Sequence, residues 1–162
     1  MIDIKRILVP TDFSRNSEPA LRYAEELAHA FRAEVHLLYV LEHVRAYGME
    51  FGGFAGEGFD PAFDEQDAVR KLGEVQIETD PECPVHRKIK VGSPADVICQ
   101  YAREHEVDVV ILGTHGRSGL TRLLMGSVAE EVVRRAHCPV LTVRPDGRHF
   151  VTPEQQTETA VS

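Results

Sequence analysis

The sequence predicts an α/β fold: a single-domain, open, five-stranded parallel sheet with helices on both faces. Three observations lead there. Short apolar runs alternate along the chain with stretches whose apolar residues recur at helical spacing. The run Val109-Val110-Ile111-Leu112 is apolar, mostly β-branched and stops at Gly113, as a strand buried on both faces does. Helix-opening patterns follow the strand-like runs at Ser17-Glu18-Pro19, at Gly92-Ser93-Pro94 and at Ser127 with Glu130.

The first strand is read from Ile4 to Val9, ending at Pro10, and Pro10-Thr11-Asp12-Phe13-Ser14 has turn chemistry. Ala20, Leu21, Ala24, Leu27, Ala28 and Phe31 then mark one face of a helix, with Arg22, Glu25, Glu26 and Arg32 on the other. A second strand from Val35 to Val40 completes a βαβ unit, right-handed by the usual rule.

An insertion over 41–63 comes next. Its part from Tyr47 to Phe63 holds five of the 12 glycines and four of the seven phenylalanines, and is read as a flexible loop, a ligand lid or a subunit contact. From Asp64 to Ile77 a helix is expected, with Ala68, Val69, Leu72 and Val75 inward. Val85 to Val91 alternates apolar and basic residues, as a lysine-protected edge strand does. A helix from Pro94 to His105, the strand ending at Leu112, a helix from Val128 to Ala136 and an apolar strand from Val140 to Val143 complete the fold. The domain is placed at 1–145, and the polar stretch 146–162 is read as a disordered tail.

The junction after Leu112 is where chemistry is expected. Ser127 and Glu130 have capping-box spacing, so a helix should open there with its N–H groups directed at the loop. A strand tip, a glycine loop and a helix N-terminus together make an anion site, commonly for phosphate, although an ordinary strand-to-helix connection has the same parts.

The glycine spacing is more specific: Gly113, two residues, Gly116, nine residues, then Gly126-Ser127, reading GTHGRSGLTRLLMGS. This resembles, without departure, the ATP-binding signature of the universal stress protein family. The phrases ILVPTDFS, VGSPADVI, DVVILGTHG and CPVLTV, in that order, are similar to the same family. The resemblance covers residues 4–145 apart from the insertion. It implies a Rossmann-like sheet of the adenine nucleotide alpha hydrolase type with strand order 3-2-1-4-5. That order sets the tips of strands one and four side by side at the reversal, where ligands of such sheets bind.

By the same resemblance Pro10, Thr11, Asp12, Val40, Gly113, His115, Gly116, Arg117, Gly126, Ser127 and Val128 would contact ATP, with Mg²⁺ on Asp12. Each has another reading. Asp12 and Ser127 can cap helices, Val40 can be core, and His115, Arg117 and Arg122 can be solvated loop residues. The implied function is an ATP-binding regulatory or stress-response protein, with a slow ATPase or a cyclic AMP binder as alternatives. A homodimer through Val140–Val143 is implied as well, since an apolar edge strand without lysine needs cover.

Composition excludes several classes. Eighteen Lys and Arg against 26 Asp and Glu give −8, which argues against a general nucleic-acid or anionic-membrane binder. Three unclustered cysteines fit reduced thiols, and no run approaches the roughly 20 apolar residues of a membrane span, so a soluble cytoplasmic protein is expected. No Walker loop, GxSxG or GxGxxG occurs. Without an evident catalytic base, any ATP hydrolysis should be slow. Seven histidines besides His115 form no metal-ligand spacing.

Overall fold

Every residue from Val109 to Leu112 is buried, and the run is an inner strand of the sheet. This follows from a computed structural model, which describes residues 2–42, 61–114 and 126–144, side chains of 61–64 excepted. Along the chain the elements are β1 (Arg6–Thr11), α1 (Glu18–Phe31), β2 (Glu34–Leu41), α2 (Pro61–Glu74), β3 (Val85–Val91), α3 (Pro94–Glu104), β4 (Val109–Gly113), α4 (Ser127–Arg135) and β5 (Val140–Val143). They form one five-stranded sheet of order β3-β2-β1-β4-β5, with every neighbouring pair parallel. The fold class and strand order expected above are those observed.

Side chains alternate across each strand, so each strand feeds two cores. Ile7 and Val9 of β1, Val35 and Leu37 of β2, and Val109 and Ile111 of β4 pack under Ala20, Leu21, Ala24 and Ala28 of α1 and Leu72 of α2. Leu8, Leu38, Val110 and Leu112 point the other way, onto Ala95, Ile98 and Ala102 of α3 and Ala129 and Val132 of α4. At the amino end of the sheet one carboxylate fastens two chain segments: Asp108 Oδ2 accepts the backbone N–H groups of Lys5 (2.7 Å) and Arg6 (2.8 Å).

The element limits differ most from the expectation at β1 and α2. β1 runs past Pro10 to Thr11, because its pairing with β2 continues to Thr11↔Tyr39. α2 starts at Pro61 and stops at Glu74, where Ile77 was expected; Val75 and Ile77 still pack against the α1-side core from the connection that follows. Val69, expected inward, is 59% exposed, and Ala68 and Leu72 fill the buried positions of α2. The rest of the 41–63 insertion lies outside the described residues, as does the tail from 145 onward. Among the described residues no helix is long and apolar enough to cross a membrane. Cys83, Cys99 and Cys138 are free thiols.

Candidate functional site

Strands β1 and β4 are neighbours yet share a short ladder, Ile7↔Val109 and Leu8↔Val110, whereas β1 stays paired with β2 along its whole length. The backbone explains the difference. The Lys5 carbonyl accepts from Glu34 on the β2 side, so by alternation Leu8 and Pro10 turn their polar groups toward β4. The Val110 amide bonds the Pro139 carbonyl on the β5 side, which turns Val109 and Ile111 toward β1. The next bond of the β1–β4 ladder would need a donor at residue 10, and proline has none. The ladder therefore ends at Leu8↔Val110, and Pro10 and Thr11 run on without pairing to β4 at the reversal of strand order, where sheets of this kind form a ligand crevice.

On the β1 side of this crevice the chain makes two nested side-chain turns. Thr11 is buried, and its Oγ1 accepts the Phe13 N–H (3.1 Å) and lies 3.3 Å from Ser17 Oγ. Asp12 Oδ1 accepts from the backbone N–H (3.0 Å) and the hydroxyl (2.6 Å) of Ser14. Ser17 Oγ in turn donates to the Ser14 carbonyl (2.7 Å). Short polar side chains that bond backbone two residues on are what turns of this kind require. The turn holds Phe13 at φ 62°, an uncommon conformation for a bulky residue, with its ring 4.4 Å from that of Tyr39. Thus Asp12 serves its local turn.

On the β4 side, Thr114 is the hinge point. It is buried, its N–H bonds the Val143 carbonyl (2.9 Å) and its carbonyl accepts the Gly126 N–H (2.7 Å). The last residue before the 115–125 segment is thereby tied to the first one after it. Gly113, paired with Val143, and the amino end of α4 are thus held next to each other at the tip of β4. As a site residue Thr114 is not singled out by the sequence, and Ser14 and Ser17 are read there only as parts of a turn and a helix opening. Their signal was available in the polar residues directly following each strand, which had to satisfy backbone groups there.

One local expectation is corrected. The α4 cap is Gly126, at φ −61° and ψ 147°, with no side-chain cap bond, so the Ser127–Glu130 capping box is not formed. The Gly126 N–H is anchored to Thr114, which sets the cap one residue early and leaves Ser127 as an exposed first helical residue. Glu130 instead pairs with Arg134 (2.7 Å) one turn on. Neither Gly113 nor Gly126 has positive φ, so the reason for glycine there is not backbone conformation.

Of the other candidates, Pro10 lies in β1, paired with Leu38 and just past the end of the ladder to β4. Val40 at the end of β2 and Val128 at the start of α4 are half-buried against the α3–α4 core. His115, Gly116, Arg117 and Arg122 lie outside the described residues.

This strand order, reversing between β1 and β4 and with helices on both faces, defines a doubly wound, Rossmann-like α/β protein. A profile of the Universal stress protein family matches residues 3–144. Universal stress protein MJ0531 of Methanocaldococcus jannaschii is 36% identical over 146 residues, spanning 86% of this chain and 82% of that protein. Universal stress protein A homolog 2 of Coxiella burnetii is 33% identical over 148 residues, spanning 91% and 99%. Among solved structures, UspA from Lactobacillus plantarum superposes with a TM-score of 0.67 at 27% identity, over 89% of this chain and 100% of that one. The M. jannaschii protein MJ0577 gives 0.66 at 28% identity, over 91% and 100%. The chain belongs to the universal stress protein family.

Proposed function

We propose that the chain is a nucleotide-binding regulatory protein that holds ATP with Mg²⁺ in the crevice between the tips of β1 and β4. The observation that carries this reading is the early end of the β1–β4 ladder beside the amino end of α4. In this reading a phosphate lies at the first turn of α4, where unpaired N–H groups and the positive dipole end favour an anion. Ser127, exposed and not used as a cap, offers its hydroxyl there. Gly113, Gly116 and Gly126 let the backbone approach, Arg117 and His115 neutralise or bond phosphate oxygens, and Val40 offers an apolar contact to the base.

The residues present fit a hard cation riding on the phosphates. Asp12, half-buried at the crevice, is a carboxylate of the kind that holds Mg²⁺ through one or two oxygens. Mg²⁺ there would offset phosphate charge. In this reading the chain's own part is to bind and orient the nucleotide, and its output is a change of shape or partner with nucleotide state.

Proteins of the same fold, at 23% and 22% identity, have been solved in complex with cAMP and with dAMP, which makes both suitable competitors. The test is the nucleotide released on denaturing freshly purified protein, together with titration calorimetry of Mg-ATP, cAMP and dAMP. Carried-over or tightly bound ATP supports the reading. No heat and no thermal shift with Mg-ATP removes it, and preference for cAMP replaces the ligand.

A further inference from the structure

The histidines that show no ligand spacing in sequence meet across the sheet. In the β2–β3 register His36 lies opposite His86, two residues along from Glu34. All three side chains fall on one face near the amino end of the sheet. His36 Nε2 is 3.3 Å from Glu34 Oε1, and His86 Nε2 is 3.3 Å from Glu34 Oε2. The three groups can present ligand atoms that all lie within 4.8 Å of one another. We propose that Glu34, His36 and His86 form a binding site for one divalent transition-metal ion, best matched by Zn²⁺, at the amino end of β2 and β3.

The distances suit such an ion. With Zn–N and Zn–O near 2.0–2.2 Å, the edge of a tetrahedron is roughly 3.3–3.6 Å; each Glu–His separation has that length, one to each oxygen of Glu34, and with one ligand atom per residue the three lie within 4.8 Å. Drawing all three atoms onto one ion takes a turn of His86, whose side chain is 41% exposed. Imidazole nitrogens select zinc, copper, nickel or cobalt over Mg²⁺ and Ca²⁺, which prefer all-oxygen shells. Three protein ligands leave a fourth position for water.

The surroundings are those of a supported ligand set. His36 is buried, and its Nδ1 is 2.8 Å from the Tyr101 hydroxyl. A phenol can donate or accept, so Tyr101 supports either neutral tautomer of His36. In one, Nε2–H donates to Glu34 and Tyr101 donates to Nδ1. In the other, Nδ1–H donates to Tyr101 and Nε2 presents its lone pair to a metal, the outer-shell arrangement usual for metal-bound histidine. His105 stacks on the Tyr101 ring at 3.8 Å and holds that ring in place.

The competing cation is Arg6, whose Nε lies 3.1 Å from Glu34 Oε1. Its Nη1 is engaged elsewhere, by Glu106 Oε2 at 3.2 Å and the His105 carbonyl at 3.2 Å. A carboxylate has about four lone-pair sites, so Arg6 can keep one while the metal takes another. The Glu34–Arg6–Glu106 chain leaves the cluster with a net negative charge to meet a cation.

This site is distinct from the nucleotide crevice. The register Arg6↔Glu34 and Thr11↔Tyr39 sets it about five strand residues away, roughly 17 Å at ~3.3 Å per residue. Its test is therefore independent of the function proposed above. Metal-stripped full-length protein is titrated with Zn²⁺ against a chromophoric chelator, and with Co²⁺ for its ligand-field spectrum. One Zn²⁺ per chain and a tetrahedral-type Co²⁺ spectrum are expected. His86→Gln and Glu34→Gln should each weaken Zn²⁺ at least tenfold, with circular dichroism and Mg-ATP titration like the parent. His29→Gln, which removes the surface His29–Asp80 pair (3.2 Å), should leave Zn²⁺ affinity unchanged. No stoichiometric uptake by the parent overturns the proposal, and so does uptake that survives both His86→Gln and Glu34→Gln.

Discussion

Gly126 occupies φ −61° and ψ 147°, a conformation open to any residue, so replacing it tests space rather than backbone strain. Gly126→Val adds two methyl groups at the amino end of α4, where the proposed phosphate would lie. The change at a helix cap costs ~1 kcal/mol of stability, and the fold should survive. Affinity for Mg-ATP should fall at least tenfold, equivalent to ~1.4 kcal/mol, with circular dichroism unchanged. A folded Gly126→Val protein that binds ATP like the parent would falsify the cradle. His36 gives a second residue-level prediction. Burial holds its folded-state value below the ordinary ~6.5, and Glu34 is held below its own ordinary range. For Glu34 burial acts the other way, but hydrogen bonds from His36 and His86 outweigh it. Between folded and unfolded values the unfolded chain binds more protons, so stability rises with pH. Thermal midpoints measured with a chelator present should drop as pH falls from 7.5 to 5.5. They should drop less in His36→Gln. A midpoint that holds steady or climbs on acidification contradicts this.

Elements were legible from the sequence where period and punctuation agreed. β4, α1 and α3 had an apolar run or a helical stripe bounded by Pro or Gly, and their limits lie within a residue or two of the expected ones. The start of α2 was hidden because Pro61-Ala62-Phe63 closes a stretch dominated by glycine and phenylalanine, although proline suits a first helical turn. Residues belonging to two elements at once were harder to see. Pro10 reads in sequence as the end of a strand, while in the sheet β1 continues through it and only the ladder to β4 stops. That distinction depends on which neighbour each amide faces, which a single strand does not encode. Glu34, His36 and His86 were passed over for the same reason: their proximity is a matter of β2–β3 register, separated by fifty residues of chain. At the crevice the strand tips and the α4 start were legible, whereas the α4 cap was misplaced because Thr114 anchors Gly126.

At the scale of the whole molecule the two edges of the sheet are unlike. β3 exposes Arg87, Lys88 and Lys90, and an edge lined with cations resists pairing with a second sheet. β5 carries no charge within its four residues; Leu141 is 36% exposed, and Val133 of α4 is 45% exposed. An apolar edge strand that meets no further strand among the described residues is suited to pairing with its own copy about a two-fold axis, which satisfies both copies at once. We therefore expect a homodimer through Val140–Val143. Each chain carries −8, so two copies repel and the dimer should tighten as salt screens that charge. Sedimentation at micromolar concentration should give a dimer, more complete at 0.5 M than at 0.05 M salt. Leu141→Lys should convert it to a monomer while leaving the circular dichroism intact, because the side chain is at the surface and its loss opens no core cavity. A monomeric parent refutes dimerisation itself. A dimer that withstands Leu141→Lys moves the interface away from β5.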